Sequence, residues 1–176
     1  MGKPLTFSIL KKYNVSMKET LRIRSLFEKQ YDGDPWLGVN FISKLSQITP
    51  EIAAYKFSPN TNSIWEILNH IIGWREAVLQ GIPQNGYISP EHNFICPIES
   101  PTDLEWEHTL VRLKDSQEDW LDFLNETDKI LLQKPFSKKI YNHYELILGV
   151  LHHDIYHLGQ ISLLLNFCKN IEGLKK

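Results

Sequence analysis

Cysteine is scarce in this chain: Cys96 and Cys168 are the only two, and no CxxC spacing occurs. That excludes a disulfide framework or a cysteine-built zinc motif, and points to a soluble protein of a reducing cytoplasm. Charge of either sign is also not in excess. Nineteen basic residues against 21 acidic ones leave a net charge of −2, without any basic block. Neither a nucleic-acid surface nor an anionic-membrane surface is expected from that balance. No apolar run approaches the roughly 18 residues of a membrane span, and no signal-peptide h-region is evident near the start. Period-2 alternation is nearly missing, which removes the usual sign of a sheet.

What is present is helical pattern. At 176 residues, 42% hydrophobic and 23% charged, the chain fits one globular domain over residues 1–176 that buries its core without staples. Residues 16–31 repeat Met17, Leu21, Ile23, Leu26, Phe27 and Gln30 at helical intervals until Asp32-Gly33-Asp34-Pro35 stops them. Residues 36–48 read as a second helical piece with Leu37, Phe41, Ile42 and Leu45 as its apolar positions. Thr49, Pro50 and Glu51 supply an N-cap, an N1 proline and a first-turn acid for a short helix through Tyr55. Ser63 and Glu66 are spaced as a capping box at the head of residues 63–80, whose stripe holds Ile67, His70, Ile71, Trp74, Ala77 and Val78. Residues 81–101 carry Pro83, Pro90, Pro97 and Pro101 and no helical period, so they are expected to wall a site. Thr102 and Glu105 repeat the capping-box spacing before a helix over residues 103–125, and residues 134–141 suit a short extended piece. Four long amphipathic segments imply an all-α fold, a four-helix bundle with long connections.

The chain is organised around residues 142–167. Leu146, Val150, His153, His157, Ile161, Leu164 and Cys168 fall on one stripe at steps of three or four. Five of these are apolar, so the stripe faces a core. His153 and His157 lie about 40° apart and about one turn along the helix, close enough to share one metal ion. Chance alone gives about 0.3 such pairs among seven histidines, so spacing by itself decides little. An unpaired polar group in a core costs about 1–3 kcal/mol, so both imidazoles need partners. Those partners are either a metal or carboxylates and carbonyls.

Bundles build cofactor sites from facing helices, and His70 is the candidate for a third ligand. On its own it reads as a hydrogen-bonded core histidine. Joined to the pair, it completes three neutral imidazoles with an open position, the donor set of a catalytic zinc-type site. His152 is turned about 100° from His153. His92, His108 and His143 are expected to face solvent. Asp154 is either a carboxylate orienting a ligand imidazole or an interhelical hydrogen-bonding acid, and Gln160 is placed to bond His157 or backbone. Tyr156 and Trp74 are expected to pack, with a pocket-lining role as the alternative. Gly73, Gly149 and Gly159 cost about 1 kcal/mol each in a helix relative to alanine, and are read as points of close helix approach.

The string HDIYHLGQI over residues 153–161 resembles the C-terminal signature of the DinB/YfiT-like metalloprotein superfamily. YDGDPWLG over residues 31–38 and SIWEILNHIIGW over residues 63–74 resemble that family's first loop and second helix, in the same order. The resemblance spans residues 17–167. It implies a four-helix bundle, often a homodimer, that binds a divalent metal, commonly zinc or nickel, through histidines matching His70, His153 and His157. It also implies a metal-dependent S-transferase acting on a low-molecular-weight thiol and a small electrophile, or a hydrolase. A non-catalytic metal-binding or stress-associated interaction protein is the alternative, and it predicts no solvent-connected pocket beside the metal.

Overall fold

Side-chain caps decide where the helices of this chain begin. A computed structural model describes residues 18–137, 141–169 and 171. Among them are seven helices: α1 (Glu19–Tyr31), α2 (Phe41–Leu45), α3 (Pro50–Ala54), α4 (Ile64–Gly81), α5 (Asp103–Glu126), α6 (Lys129–Gln133) and α7 (His143–Cys168). At α4, Ser63 Oγ accepts from the Glu66 amide at 3.2 Å while Glu66 Oε2 accepts from the Ser63 amide at 2.7 Å. Asn142 and Glu145 make the same reciprocal pair at α7, at 2.9 and 2.8 Å. Each such pair satisfies two orphan amides that would otherwise be left at the helix end. The expected box at α5 is only half made. Thr102 accepts from the Glu105 amide at 3.3 Å, but Glu105 makes no return bond among the described residues.

The helical piece expected over residues 36–48 shrinks to α2. Gly38, at φ 69°, turns the chain with its amide on Pro35 O at 2.8 Å, and Asn40 then caps Ser43. That late cap leaves Trp36 98% exposed and Leu37 on the surface, and within α2 itself Ile42 faces outward. The extended piece near residues 134–141 is one bridge between Pro135 and Asn142, residues 138–140 lying outside the described ones. Residues 16 and 17 of the first expected helix also lie outside them.

The four long helices pack α1 on α5, α5 on α4, α4 on α7 and α7 back on α1, closing a ring. That is the bundle the amphipathic pattern predicts. Inside it the apolar core is split in two. One cluster gathers Phe41, Trp65, Leu68, Ile72, Leu113 and Leu158, and the other Ile23, Phe27, Val78, Trp120, Leu146 and Leu151. Each fully buried side chain of this size contributes about 1.5–3 kcal/mol.

Between the clusters in sequence on three helices stand polar groups, and they meet. Arg75 on α4 donates through Nε to Asp154 Oδ2 on α7 at 2.9 Å, and through Nη1 to Gln117 Oε1 on α5 at 3.2 Å. Its guanidinium carbon lies 5.9 Å from the Phe27 ring centre and 5.7 Å from that of Phe41. This buried layer fixes the level and rotation at which α4 meets α7. The histidines stand on the same two helices.

Candidate metal centre

His70 projects from α4 and His153 and His157 from α7, and their imidazoles converge. His70 Nε2 lies 2.9 Å from His153 Nε2 and 3.1 Å from His157 Nε2. The helical phase read from the sequence therefore brings all three candidate residues together, across 83 and 87 positions of chain.

Hydrogen-bond partners assign a tautomer to two of the three rings. His70 Nδ1 stands 2.7 Å from the carbonyl oxygen of Asn93. A carbonyl only accepts, so His70 carries its proton on Nδ1 and turns a bare lone pair inward on Nε2. His157 Nδ1 likewise donates to Gln160 Oε1 at 2.7 Å, leaving its Nε2 bare. Two lone pairs 3.1 Å apart with no hydrogen between them repel, and a cation relieves that repulsion. His153 Nδ1 is buried and has no hydrogen-bond partner among the described residues. It is the least supported of the three rings.

The donor set fits a metal. Ligand distances of about 2.0–2.1 Å at tetrahedral angles place nitrogens about 3.3 Å apart, within a few tenths of an ångström of the spacing found. Burial and the neighbouring His157 and His70 push His153 down to about 3, and burial lowers His157 as well. Both are thus neutral near pH 7, the form that ligates.

The loop after α4 is the wall expected of it. Asn93 and Phe94 both occupy the left-handed region, at φ 52° and 59°. For phenylalanine this is uncommon and costs about 1–3 kcal/mol. The turn aims the Asn93 carbonyl at His70, while Asn93 Oδ1 accepts from Trp74 Nε1 at 2.9 Å. The Phe94 ring lies on Gly73, where an added Cβ would come within 2.4 Å of it. Gly73 therefore serves close approach of a loop, not of a helix. At Gly149 and Gly159 an added Cβ meets nothing within 4 Å, so the close approach expected there is absent.

Several neighbours take other places than expected. Asp154 does not reach a ligand imidazole; its carboxylate is committed to Arg75, so the interhelical alternative holds. Burial raises its pKa, with the Arg75 guanidinium pulling the other way. Tyr156 does not pack in the core: it is 64% exposed, edge-on to His157 with ring centres 4.9 Å apart. Trp74 is half-buried, 6.3 Å from His153 between ring centres, and lines a cavity. His152, His92 and His108 are exposed as expected, but His143 is buried, its Nδ1 donating to Lys134 O at 2.7 Å. The fold of residues 134–136 over the start of α7 covers it.

Asn93, Phe94 and Arg75 were not singled out by sequence reasoning. For Arg75 a signal exists: the one arginine of the apolar α4 matches Asp154, the one acid of the apolar α7 beyond its first turn. For Asn93 the signal is fainter, an asparagine able to take positive φ in a proline-rich loop.

The cavity beside His153 measures about 420 Å3 and is walled by Trp74, Val78, Tyr87, Tyr141 and Val150. It gives one side of the imidazole cluster an approach from outside.

With this bundle and this histidine cluster described, similarity to known proteins gives the lineage. The sequence model of the DinB superfamily matches residues 39–161. The chain belongs to the DinB superfamily. The match includes the segments bearing His70, His153 and His157 and begins just after the 31–38 loop. No curated protein and no solved structure matches the chain significantly. As a DinB-superfamily protein the chain carries a three-histidine group whose ligating atoms all lie within 4.8 Å of one another and could hold a metal ion.

Proposed function

We propose that this DinB-superfamily protein is a metal-dependent thiol S-transferase or hydrolase whose divalent metal, zinc or nickel, is held by His70, His153 and His157. The observation that carries the reading is the pair of bare Nε2 lone pairs fixed by Asn93 and Gln160 and facing one another at 3.1 Å. His153, whose Nδ1 has no partner among the described residues, can donate from Nε2 to the His70 lone pair at 2.9 Å, but the His70–His157 pair stays without a hydrogen between its nitrogens. A divalent metal in that position lowers the pKa of a bound thiol or water and so supplies a nucleophile at neutral pH.

The chain's own groups do the rest. Asn93 O and Gln160 Oε1 orient two imidazoles, as outer partners of metal-bound histidines commonly do. Trp74 and the neighbouring aromatic walls keep water off one side of the site and leave the cavity for an organic electrophile. That cavity favours the enzyme over a non-catalytic metal-binding or stress-associated protein, for which no such opening is needed. A low-molecular-weight thiol is the proposed co-substrate because neither protein cysteine is among the residues at the cluster. Among the described residues no helix is long and apolar enough to cross a membrane. The same reading makes the protein a cytoplasmic homodimer, in keeping with the family resemblance and with two free cysteines, one exposed and one buried.

Metal analysis of untagged protein tests the centre, and one equivalent per chain is the expected result. Chelation should lower the melting temperature while the bundle stays folded, because metal binds only the native arrangement. A thiol-consumption screen with a panel of electrophiles then tests the chemistry. Protein purified without stoichiometric metal, and unable to take it up, would refute the centre.

A further inference from the structure

The cavity beside the histidines has a direction. Glu145, Gly149 and His153 follow one another at four-residue steps on α7, so they form a stripe about 12 Å long. All three line the cavity, His153 at one end and Glu145 at the other. Gly149 lies between them, and its missing side chain leaves open space there. Trp74 and Val78, also four residues apart, supply the facing wall from α4. Tyr87 and Tyr141 close it from the two connections, their phenol oxygens 3.2 Å apart.

The charge of this trough is one-sided. No lysine or arginine is among the described residues lining it, and Glu145 is its one carboxylate. The capping bond to the Asn142 amide uses Glu145 Oε2, which leaves Oε1 for a ligand. Tyr141 is pushed up to about 12 by burial and by its bond to Tyr87, so its phenol stays neutral at physiological pH. Aromatic faces attract cations, and a carboxylate adds to that attraction.

We propose that this trough binds an elongated ligand with an apolar body and a terminal ammonium group, the ammonium at Glu145 and the other end beside His153. Naming that ligand as the electrophilic substrate rests on the metal-centre reading above; the binding itself does not. Anionic ligands are disfavoured by the same chemistry.

Three probes of one shape test it: 4-phenylbutylamine, 4-phenylbutan-1-ol and 4-phenylbutyrate, titrated calorimetrically into the full chain with and without metal. The amine should bind roughly tenfold more tightly than the acid, with the alcohol between them. Glu145→Gln keeps a residue able to close the helix cap, and should bring the amine down to the affinity that the alcohol shows for the same variant. Gly149→Leu should fill the trough and abolish binding of all three. The acid binding as well as the amine, an unaltered preference in Glu145→Gln, or no probe binding the wild type would each overturn the proposal. Metal stoichiometry is measured without probe, so loss of the metal centre and loss of the trough are separate results.

Discussion

Arg75 and Asp154 form an ion pair of 2.8 Å in which neither side chain is exposed to solvent. The pair joins α4 to α7 near the level at which His70 meets His153. Removing one partner strands the other as a buried charge, which is far costlier than removing both. Asp154→Ala is therefore expected to destabilise the protein by about 3–5 kcal/mol, and Arg75→Met with Asp154→Leu to recover most of that. Urea denaturation midpoints measure both. Equal losses in the single and double variants would show that helix packing, and not charge pairing, dominates there.

Acid should weaken the metal-free protein in a defined window. The folded-state pKa of His153 is held down at about 3, first by burial and then by His157 and His70. In the unfolded chain it returns to about 6.5. Between those values the unfolded state binds the extra proton, so this contribution is complete above about pH 6.5 and is lost progressively as pH falls towards 3. His157, also lowered, acts in the same direction. Stability measured against pH for wild type and His153→Phe should diverge only through that window. Parallel curves would show that His153 titrates normally. Metal affinity should fall only as pH approaches the lowered folded-state pKa values of these rings, because in the folded protein protons compete for the same lone pairs from there downward.

The parts of this protein that were legible in sequence are those governed by local periodicity. The four long helices follow from apolar stripes and, for α4 and α5, from the Ser63 and Thr102 caps, and the three-histidine cluster follows from the phase of α7. Short pieces were legible only where a cap announced them, as Thr49 and Pro50 announce α3. Five residues of α2 or α6 carry too little period, and the cap at Asn40 starts α2 too late to include Leu37. His143 was misread because the groups that cover it, Lys134 and Phe136, are brought back by a bridge and not by helical spacing. Asn93 acts through its main-chain carbonyl, which no side-chain pattern reports.

Gly73 offers a test of that carbonyl. An alanine there would place its Cβ 2.4 Å from the Phe94 ring, so the ring and the left-handed turn behind it must move. Overpacking of this kind costs about 1–3 kcal/mol. Because Asn93 sits in that turn, its bond to His70 should loosen as well, and metal affinity should drop together with stability. Gly149→Ala, where an added Cβ meets nothing, is the control: it should leave metal affinity unchanged and raise stability by up to about 1 kcal/mol, the helix-propensity gain of alanine over glycine. Unchanged metal affinity in Gly73→Ala would show that the Asn93 carbonyl does not hold His70 in place.

Ligand and neighbour are separated most cleanly on α7 itself. His153→Ala removes one of three converging nitrogens and is expected to abolish or severely weaken metal binding. His152→Ala should leave stoichiometry at one, because a turn of about 100° points that side chain to solvent, where the structure has it exposed. His70→Ala should match His153→Ala although the two stand 83 positions apart, since their Nε2 atoms lie 2.9 Å apart. His157→Ala should do the same, whereas Gln160→Leu should weaken binding without abolishing it, as loss of an outer partner typically costs about 10- to 100-fold. Circular dichroism on each variant distinguishes lost metal from lost helix. Metal retained in His153→Ala and lost in His152→Ala would mean that the helical phase, and with it the whole centre, has been assigned to the wrong face.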